Sequence, residues 1–213
     1  MILKTGEKEL IEALKKRHGE ELAGTFLESS VAICGLGGLG SNIAIALARS
    51  GVGRLILIDF DRVDVSNLHR QQYKTSQVGM LKAEALKENL KEIAPFVKLE
   101  CYAEKVTEEN AARLLEKASI VIEAFDKAEE KAKLVNFALE NMPDKIIIGG
   151  SGMAGGGSGN LIRVRRIRKN FYLCGDNKTD VGGGERLFAP RVMMCASLMA
   201  LTALRIIMGE MEE

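Results

Sequence analysis

The chain has no Cys-x-x-Cys pair. Its four cysteines, at positions 34, 101, 174 and 195, are scattered through 213 residues, which excludes a paired-thiolate zinc site and fits reduced thiols in a cytoplasmic protein. No stretch approaches the roughly twenty uninterrupted apolar residues of a membrane span. The nearest, Val192 to Met208, carries Arg205 and reads as a buried helix. The opening MILKTGEKEL becomes charged too early for the apolar region of a secretory signal. Charge of one sign is also missing: 30 basic against 29 acidic residues leave a net +1, so no global field gathers DNA or RNA. No internal repeat or linker interrupts the chain, and a single domain over 1–213 is expected.

What is present is an apolar content of 46%, ample for a core, arranged in short alternating runs. Residues 7 to 18 place Leu10, Ile11 and Leu14 on one face of a short amphipathic helix. From Val31 strand-like and helix-like runs alternate: VAIC, helix 39 to 50, RLILI, helix 76 to 93, VKLECY, helix 108 to 117, SIVIEAF, helix 127 to 141, KIIIG. That alternation predicts an α/β, Rossmann-like, mainly parallel sheet with helices on both faces. Pro95 closes one helix, and Thr107 with Glu108 and Glu109 opens the next as a cap followed by dipole-matched acids. After Gly149 two strand candidates, LIRVRRI and FYLC, leave no room for a crossover helix, which points to an antiparallel C-terminal extension. Pro190 and Gly209 bracket a last helix that is apolar nearly all round and is expected to be buried.

The segment VAICGLGGLGSN joins a strand to a helix through glycines. Gly35, Gly37 and Gly40 have the G-x-G-x-x-G spacing, in which one glycine makes the turn, one admits a phosphate to the backbone and one lets helix and strand pack. Asp59 ends the next strand, 24 residues after Gly35, about where a carboxylate accepts hydrogen bonds from an adenosine ribose. A nicotinamide dinucleotide is the default ligand of such a fingerprint. The following DFDRVDVSNLHRQQYKTSQVGMLKAEAL is richer: Arg70, Lys74 and Lys82 supply cations and Asn67 and Gln71 neutral hydrogen bonds, as a triphosphate attacked by a second anion requires.

The set GLGGLGSN at 35–42, GVGRLILIDFD at 51–61, SNLHRQ at 66–71, VGMLKAEAL at 78–86 and Asp126 after SIVIEAF resembles the ThiF/MoeB/ubiquitin-activating superfamily over nearly the whole chain. Members adenylate the C-terminal glycine of small ubiquitin-like carrier proteins. The resemblance implies that Gly37 and Gly38 cradle ATP, that Asp59 holds its ribose, and that Asn67, Arg70 and Lys82 contact its phosphates. It implies that Asp126 coordinates Mg²⁺, and it adds Asp61 to the nucleotide site. A carboxylate attacking an α-phosphorus is already ionised at neutral pH and needs charge neutralisation more than a general base, so the scarcity of histidine is no objection. Neither His18 nor His69 is given a function. Taken singly, Arg70 and Lys82 also read as solvated charges and Asp126 as a helix cap.

Many relatives carry two Cys-x-x-Cys pairs for zinc, and this chain has none, so no zinc is expected. The loop GDNKTDVGGGERLFAP, which in the family crosses over the carrier's tail, contains no cysteine; Cys174 at its mouth reads as a packed small residue, and Cys34 and Cys195 as core. The zinc-free form looks most like a ThiF variant that serves a ThiS-like sulfur carrier ending in Gly-Gly in thiamine biosynthesis. Homodimerisation follows from the resemblance, with Arg17 the candidate to reach the partner's phosphates. The glycine-rich stretches 149–159 and 182–184 suit an extended Gly-Gly tail, or are simply mobile. The run RVRRIRK at 163–169 puts Arg163 and Arg165 on one strand face and Arg166 and Arg168 on the other, a solvated hairpin or a dock for an acidic carrier. RNA is a third reading, since a related branch modifies tRNA, but no aromatic platform accompanies the arginines. The alternatives are adenylation of a MoaD-like carrier or of a tRNA-linked carboxylate, an NAD-dependent oxidoreductase, and a nucleotide-binding scaffold without catalysis.

Overall fold

A computed structural model describes residues 6–210; the first five residues of MILKTGEKEL and the last three of the expected 1–213 domain lie outside them. The strands are β1 (Ser30–Cys34), β2 (Arg54–Ile58), β3 (Lys98–Tyr102), β4 (Ile120–Glu123), β5 (Ile146–Gly150), β6 (Arg163–Arg168) and β7 (Phe171–Gly175). They form one sheet in the order β3-β2-β1-β4-β5-β7-β6, in which only the β6–β7 pair is antiparallel. The mainly parallel sheet and its antiparallel extension are as the sequence predicts. β7 rejoins the sheet parallel to β5, and β6 folds back on it to form the outer edge.

Strand residues alternate between two apolar clusters, one on each face. Val31, Ile33, Leu55, Leu57, Ile120 and Ile122 pack with α3 (Gly38–Ser50), α4 (Lys82–Ile93) and α7 (Ala189–Ile207). Ala32, Cys34, Ile56, Ile58 and Val121 pack with α5 (Glu108–Leu115) and α6 (Ala128–Asn141). Strands covered on both faces read as unbroken apolar runs, which is why they were visible in the sequence. Between β1 and β4 the strand order reverses, and in open α/β sheets a ligand crevice opens there at the carboxyl ends of the strands.

Two expectations are corrected and one is extended. The helix expected over 76 to 93 begins only at Lys82: a 3-10 turn occupies Thr75–Gln77, and Gly79 at φ +89° takes a left-handed conformation that ends any helix there. The helix expected over 7 to 18 is present as α1 (Glu7–His18), with Leu10, Ile11 and Leu14 half-buried, and it is followed by a second helix, α2 (Glu20–Glu28), that anchors the segment through Ala23 and Phe26. Finally, α7 is not buried all round. Arg191, Val192, Cys195, Ala196, Met199, Ala200, Thr202 and Ala203 face the core, while Met193, Met194 and Leu201 are exposed. Among the described residues α7 alone is long and apolar enough to cross a membrane, yet it packs on α3 and on β5, β6 and β7.

Candidate active site

The glycine loop is shaped by close backbone approaches. Gly35 sits at φ +92°, and a Cβ there would lie 2.7 Å from the carbonyl oxygen of Ala124, so the loop runs against the end of β4. A Cβ on Gly40 would lie 1.8 Å from the carbonyl oxygen of Gly35, which makes this the glycine that packs helix against turn. A Cβ on Gly38 would lie 3.0 Å from Val192 and 3.4 Å from the Arg70 stem. Gly37 is different: a Cβ there would meet only the Gln71 amide nitrogen, at 3.7 Å, an ordinary contact, so packing does not demand a glycine there. Gly37 is also the N-cap of α3 and offers no side chain to its first turn. The amides that open a helix have no intrahelical partners and favour an anion, so this end of α3 is shaped to receive phosphate. Gln71 is buried beside the loop with its Oε1 lacking a partner, a polar orphan that a ligand hydroxyl or water would satisfy.

Asp59 is already engaged. Its Oδ2 accepts the Leu36 N–H at 2.7 Å and its Oδ1 the Asp61 N–H at 2.8 Å. Burial raises its pKa, and Lys82 together with these two amides acts in the opposite sense. Each oxygen keeps acceptor capacity for a ribose hydroxyl, so the residue can hold loop and nucleotide together. Lys82 opens α4 with its ammonium buried between two carboxylates, 2.8 Å from Asp61 and 3.9 Å from Asp59. Asp61 is thus the partner of Lys82 in this state.

Arg70 and Asn67 form a unit, with a guanidinium nitrogen donating to Asn67 Oδ1 at 3.0 Å. Asn42, the last residue of GLGGLGSN, donates to the Arg70 carbonyl at 3.1 Å and to the Gly38 carbonyl at 2.6 Å, tying the arginine segment to α3. Burial lowers the Arg70 pKa while the charge of Asp126 raises it; an arginine stays charged regardless, and the two lie within each other's field. Asp126 is exposed in the turn before α6, whose N-cap is Lys127, so the expectation that Asp126 merely caps that helix is not met. Among the described residues no three His, Cys, Asp or Glu side chains converge as metal ligands. Asp126 is the one carboxylate at this turn, and a phosphate-bound Mg²⁺ would ask no more than one carboxylate of the protein, the other ligands being substrate oxygens and water.

Lys74 does not join the set. Its ammonium pairs with Glu92 at 3.0 Å on the surface, ten residues along α4 from Lys82 and thus about 15 Å away at the helical rise. Other residues of the site had no local signal. Tyr73 is buried and donates to the Leu36 carbonyl at 2.7 Å. Glu123, at the end of β4, accepts the Phe125 N–H at 2.7 Å and pairs with Lys131 at 3.0 Å, which fixes the turn carrying Asp126. Lys131 also donates to the Gly150 carbonyl at 3.1 Å, joining that turn to the end of β5. Cys34, Cys174 and Cys195 are buried, and burial pushes the Cys195 thiol up to about 12 and Cys34 higher still, so none is a ready nucleophile.

Residues 12–213 match the ThiF family. The chain belongs to that family. It is 38% identical over 122 residues to the sulfur carrier protein adenylyltransferase of Thermus thermophilus, covering 57% of this chain and 45% of that one. It is 35% identical over 137 residues to the tRNA threonylcarbamoyladenosine dehydratase of Escherichia coli, covering 63% and 51%. It thus spans about half the length of these ThiF-family relatives. The crystal structure of that Escherichia coli dehydratase in complex with ATP superposes with a TM-score of 0.86 at 23% identity, over 98% of each chain, and shows the same fold. Family membership places the glycine fingerprint in a ThiF-family chain, and the Escherichia coli protein that shares its fold was crystallised in complex with ATP.

Proposed function

We propose that the chain binds Mg·ATP in the crevice between β1 and β4 and transfers AMP to a carboxylate. The observation that carries the reading is the meeting of the uncapped α3 N-terminus, the Arg70–Asn67 unit and the Asp126 turn around one loop. A carboxylate oxygen attacks the α-phosphorus, the bond to the bridging oxygen of the β-phosphate breaks, and pyrophosphate leaves. The α3 amides and Arg70 stabilise charge that builds on phosphate oxygens. Asp59 orients the nucleotide through its ribose. Asp126 holds Mg²⁺, which supplies further charge neutralisation. Lys82 contributes its cation by exchanging Asp61 for phosphate.

For the carboxylate we favour the C-terminal glycine of a small, ThiS-like sulfur carrier, with the chain acting as a homodimer. The named activity of the Thermus thermophilus relative and the glycine-rich wall at 152–159 support this. A tRNA-linked carboxylate is the second reading. It is favoured by the Escherichia coli dehydratase, whose likeness in fold extends over 98% of both chains, and by the arginines of the exposed edge strand β6. Exchange of labelled pyrophosphate into ATP, measured with a carrier ending in Gly-Gly and separately with carboxylate-bearing tRNA, decides between them. Exchange with neither leaves the non-catalytic scaffold.

A further inference from the structure

The hairpin of β6 and β7 carries Arg163, Arg165, Arg166, Arg168 and Lys169 on the outer edge of the sheet. Simple alternation along the strand places Arg166 and Arg168 together, on the face opposite Arg163 and Arg165. The structure corrects this. Arg163 pairs with Gly175, Arg165 with Leu173 and Arg166 with Tyr172; the register then slips, and Arg168 stands opposite Phe171. Directly opposed residues of an antiparallel pair share a face, and Phe171 and Leu173 point the same way along β7. The bulge at Ile167 therefore turns Arg168 to the side of Arg163 and Arg165. Arg166 stays on the other face, its guanidinium 5.7 Å from the centre of the Tyr172 ring.

The row of three arginines is exposed and has no counter-charge. Among the described residues the arginines paired with carboxylates are Arg54, Arg113, Arg191 and Arg205, all outside the hairpin. Arg165 donates to the Gly175 carbonyl at 3.3 Å and Arg163 to the Asn160 carbonyl at 3.5 Å, contacts that neutralise nothing. The row begins opposite Gly175, at the carboxyl end of the parallel strands, and runs down β6 for about 14 Å at the antiparallel rise, one residue being taken up by the bulge. Three strand spacings, again about 14 Å, separate β6 from β4 and the crevice.

A net charge of +1 over the whole chain gives no general attraction for polyanions, so the row acts by itself. Protein partners settle on centres depleted of charge and rich in aromatic residues; here cations hold the centre, and Phe171 and Leu173 between them are half-buried. Arginine forks set at intervals suit a chain that repeats one phosphate per unit. The exposed aromatic residues among those described are Phe60 and Phe188, neither on the hairpin, so the row offers no platform for stacked bases. We propose that Arg163, Arg165 and Arg168 form a docking row for the phosphodiester backbone of a structured nucleic acid. The row reads charge and not base sequence, and it engages without ATP. It does not rest on the adenylation reading.

Fluorescence anisotropy of the full chain with a labelled tRNA transcript, without ATP and across a salt series, tests this. Affinity should fall with salt at a log–log slope of about −2 to −3, as for about three neutralised phosphates. Arg163→Gln/Arg165→Gln/Arg168→Gln should weaken binding about tenfold or more at low salt and flatten the slope by about 2. Arg166→Gln removes a charge from the same strand but from the other face, and should leave affinity within about twofold. A labelled DNA duplex separates the sources of the backbone: equal binding supports recognition of phosphodiester charge alone, and preference for tRNA supports a fit to A-form geometry. No tRNA binding by the wild type at low salt would overturn the proposal, as would unchanged affinity in the folded triple variant. Loss of carrier-dependent pyrophosphate exchange with tRNA affinity intact would overturn it in favour of an acidic protein. If the triple variant does not fold, Arg168→Gln set against Arg166→Gln keeps the comparison, and equal losses from the two would overturn the shared face.

Discussion

The phenol of Tyr73 donates to the main-chain oxygen of Leu36 at 2.7 Å. On its other side Leu36 gives its N–H to Asp59, also at 2.7 Å. The residue between Gly35 and Gly37 is thus held at both peptide groups before any ligand arrives, and donors set in advance cost no reorganisation when the nucleotide binds. Burial pushes the Tyr73 pKa up, so the hydroxyl stays protonated and keeps donating.

Tyr73→Phe should therefore cost about 1 kcal/mol of stability, the usual value of one hydrogen bond, and weaken ATP binding several-fold through a loosened loop. Thermal melting and calorimetry check the two parts. A variant with wild-type ATP affinity would show that Asp59 alone sets the loop.

Asp59→Ala should weaken ATP binding by roughly 1 to 3 kcal/mol as charged-group hydrogen bonds are lost. It should also lower the melting temperature, because Leu36 and Asp61 lose their acceptor and Lys82 one of its two counter-charges. Unaltered ATP affinity in the folded variant would remove Asp59 from the site.

Asp176 carries a pH signature. Burial alone would raise its pKa, but the N–H groups of Thr179 and Lys178, the Thr179 hydroxyl and Arg191 outweigh it and hold the value down at about 2, against an ordinary 3.8. The folded value lies below the unfolded one, so the stabilisation is complete above the ordinary carboxylate range and is lost as pH falls through about 2. Asp176→Asn should flatten the acid limb of the stability curve between about pH 4 and pH 2, and an unchanged acid limb would contradict this.

Most of the sheet was legible because buried parallel strands announce themselves as apolar runs such as RLILI and SIVIE. The glycine fingerprint and Asp59 were legible because backbone geometry demands those residues at fixed offsets. What escaped was set by pairing over distance. Tyr73 with Leu36, Glu123 with Lys131 and Asp176 with Arg191 leave no periodic trace, since each depends on which elements the fold brings together. Lys74, four residues from Arg70 in sequence, pairs with Glu92 near the end of α4, a partner no local pattern announces. The exposed face of α7 was hidden because Met193, Met194 and Leu201 are as apolar as its buried residues.

The most direct test of the central claim is pyrophosphate exchange by the wild type and by Asp126→Asn. Asp126 is exposed and caps nothing, so the variant should fold and melt like the wild type. With a carboxylate substrate present, either a Gly-Gly carrier or a carboxylate-bearing tRNA, the wild type should exchange label into ATP, and Asp126→Asn should do so about a hundredfold more slowly, the effect of removing one electrostatic stabiliser. Exchange by Asp126→Asn at the wild-type rate would contradict the metal assignment, and no exchange by the wild type with either substrate would contradict adenylation itself.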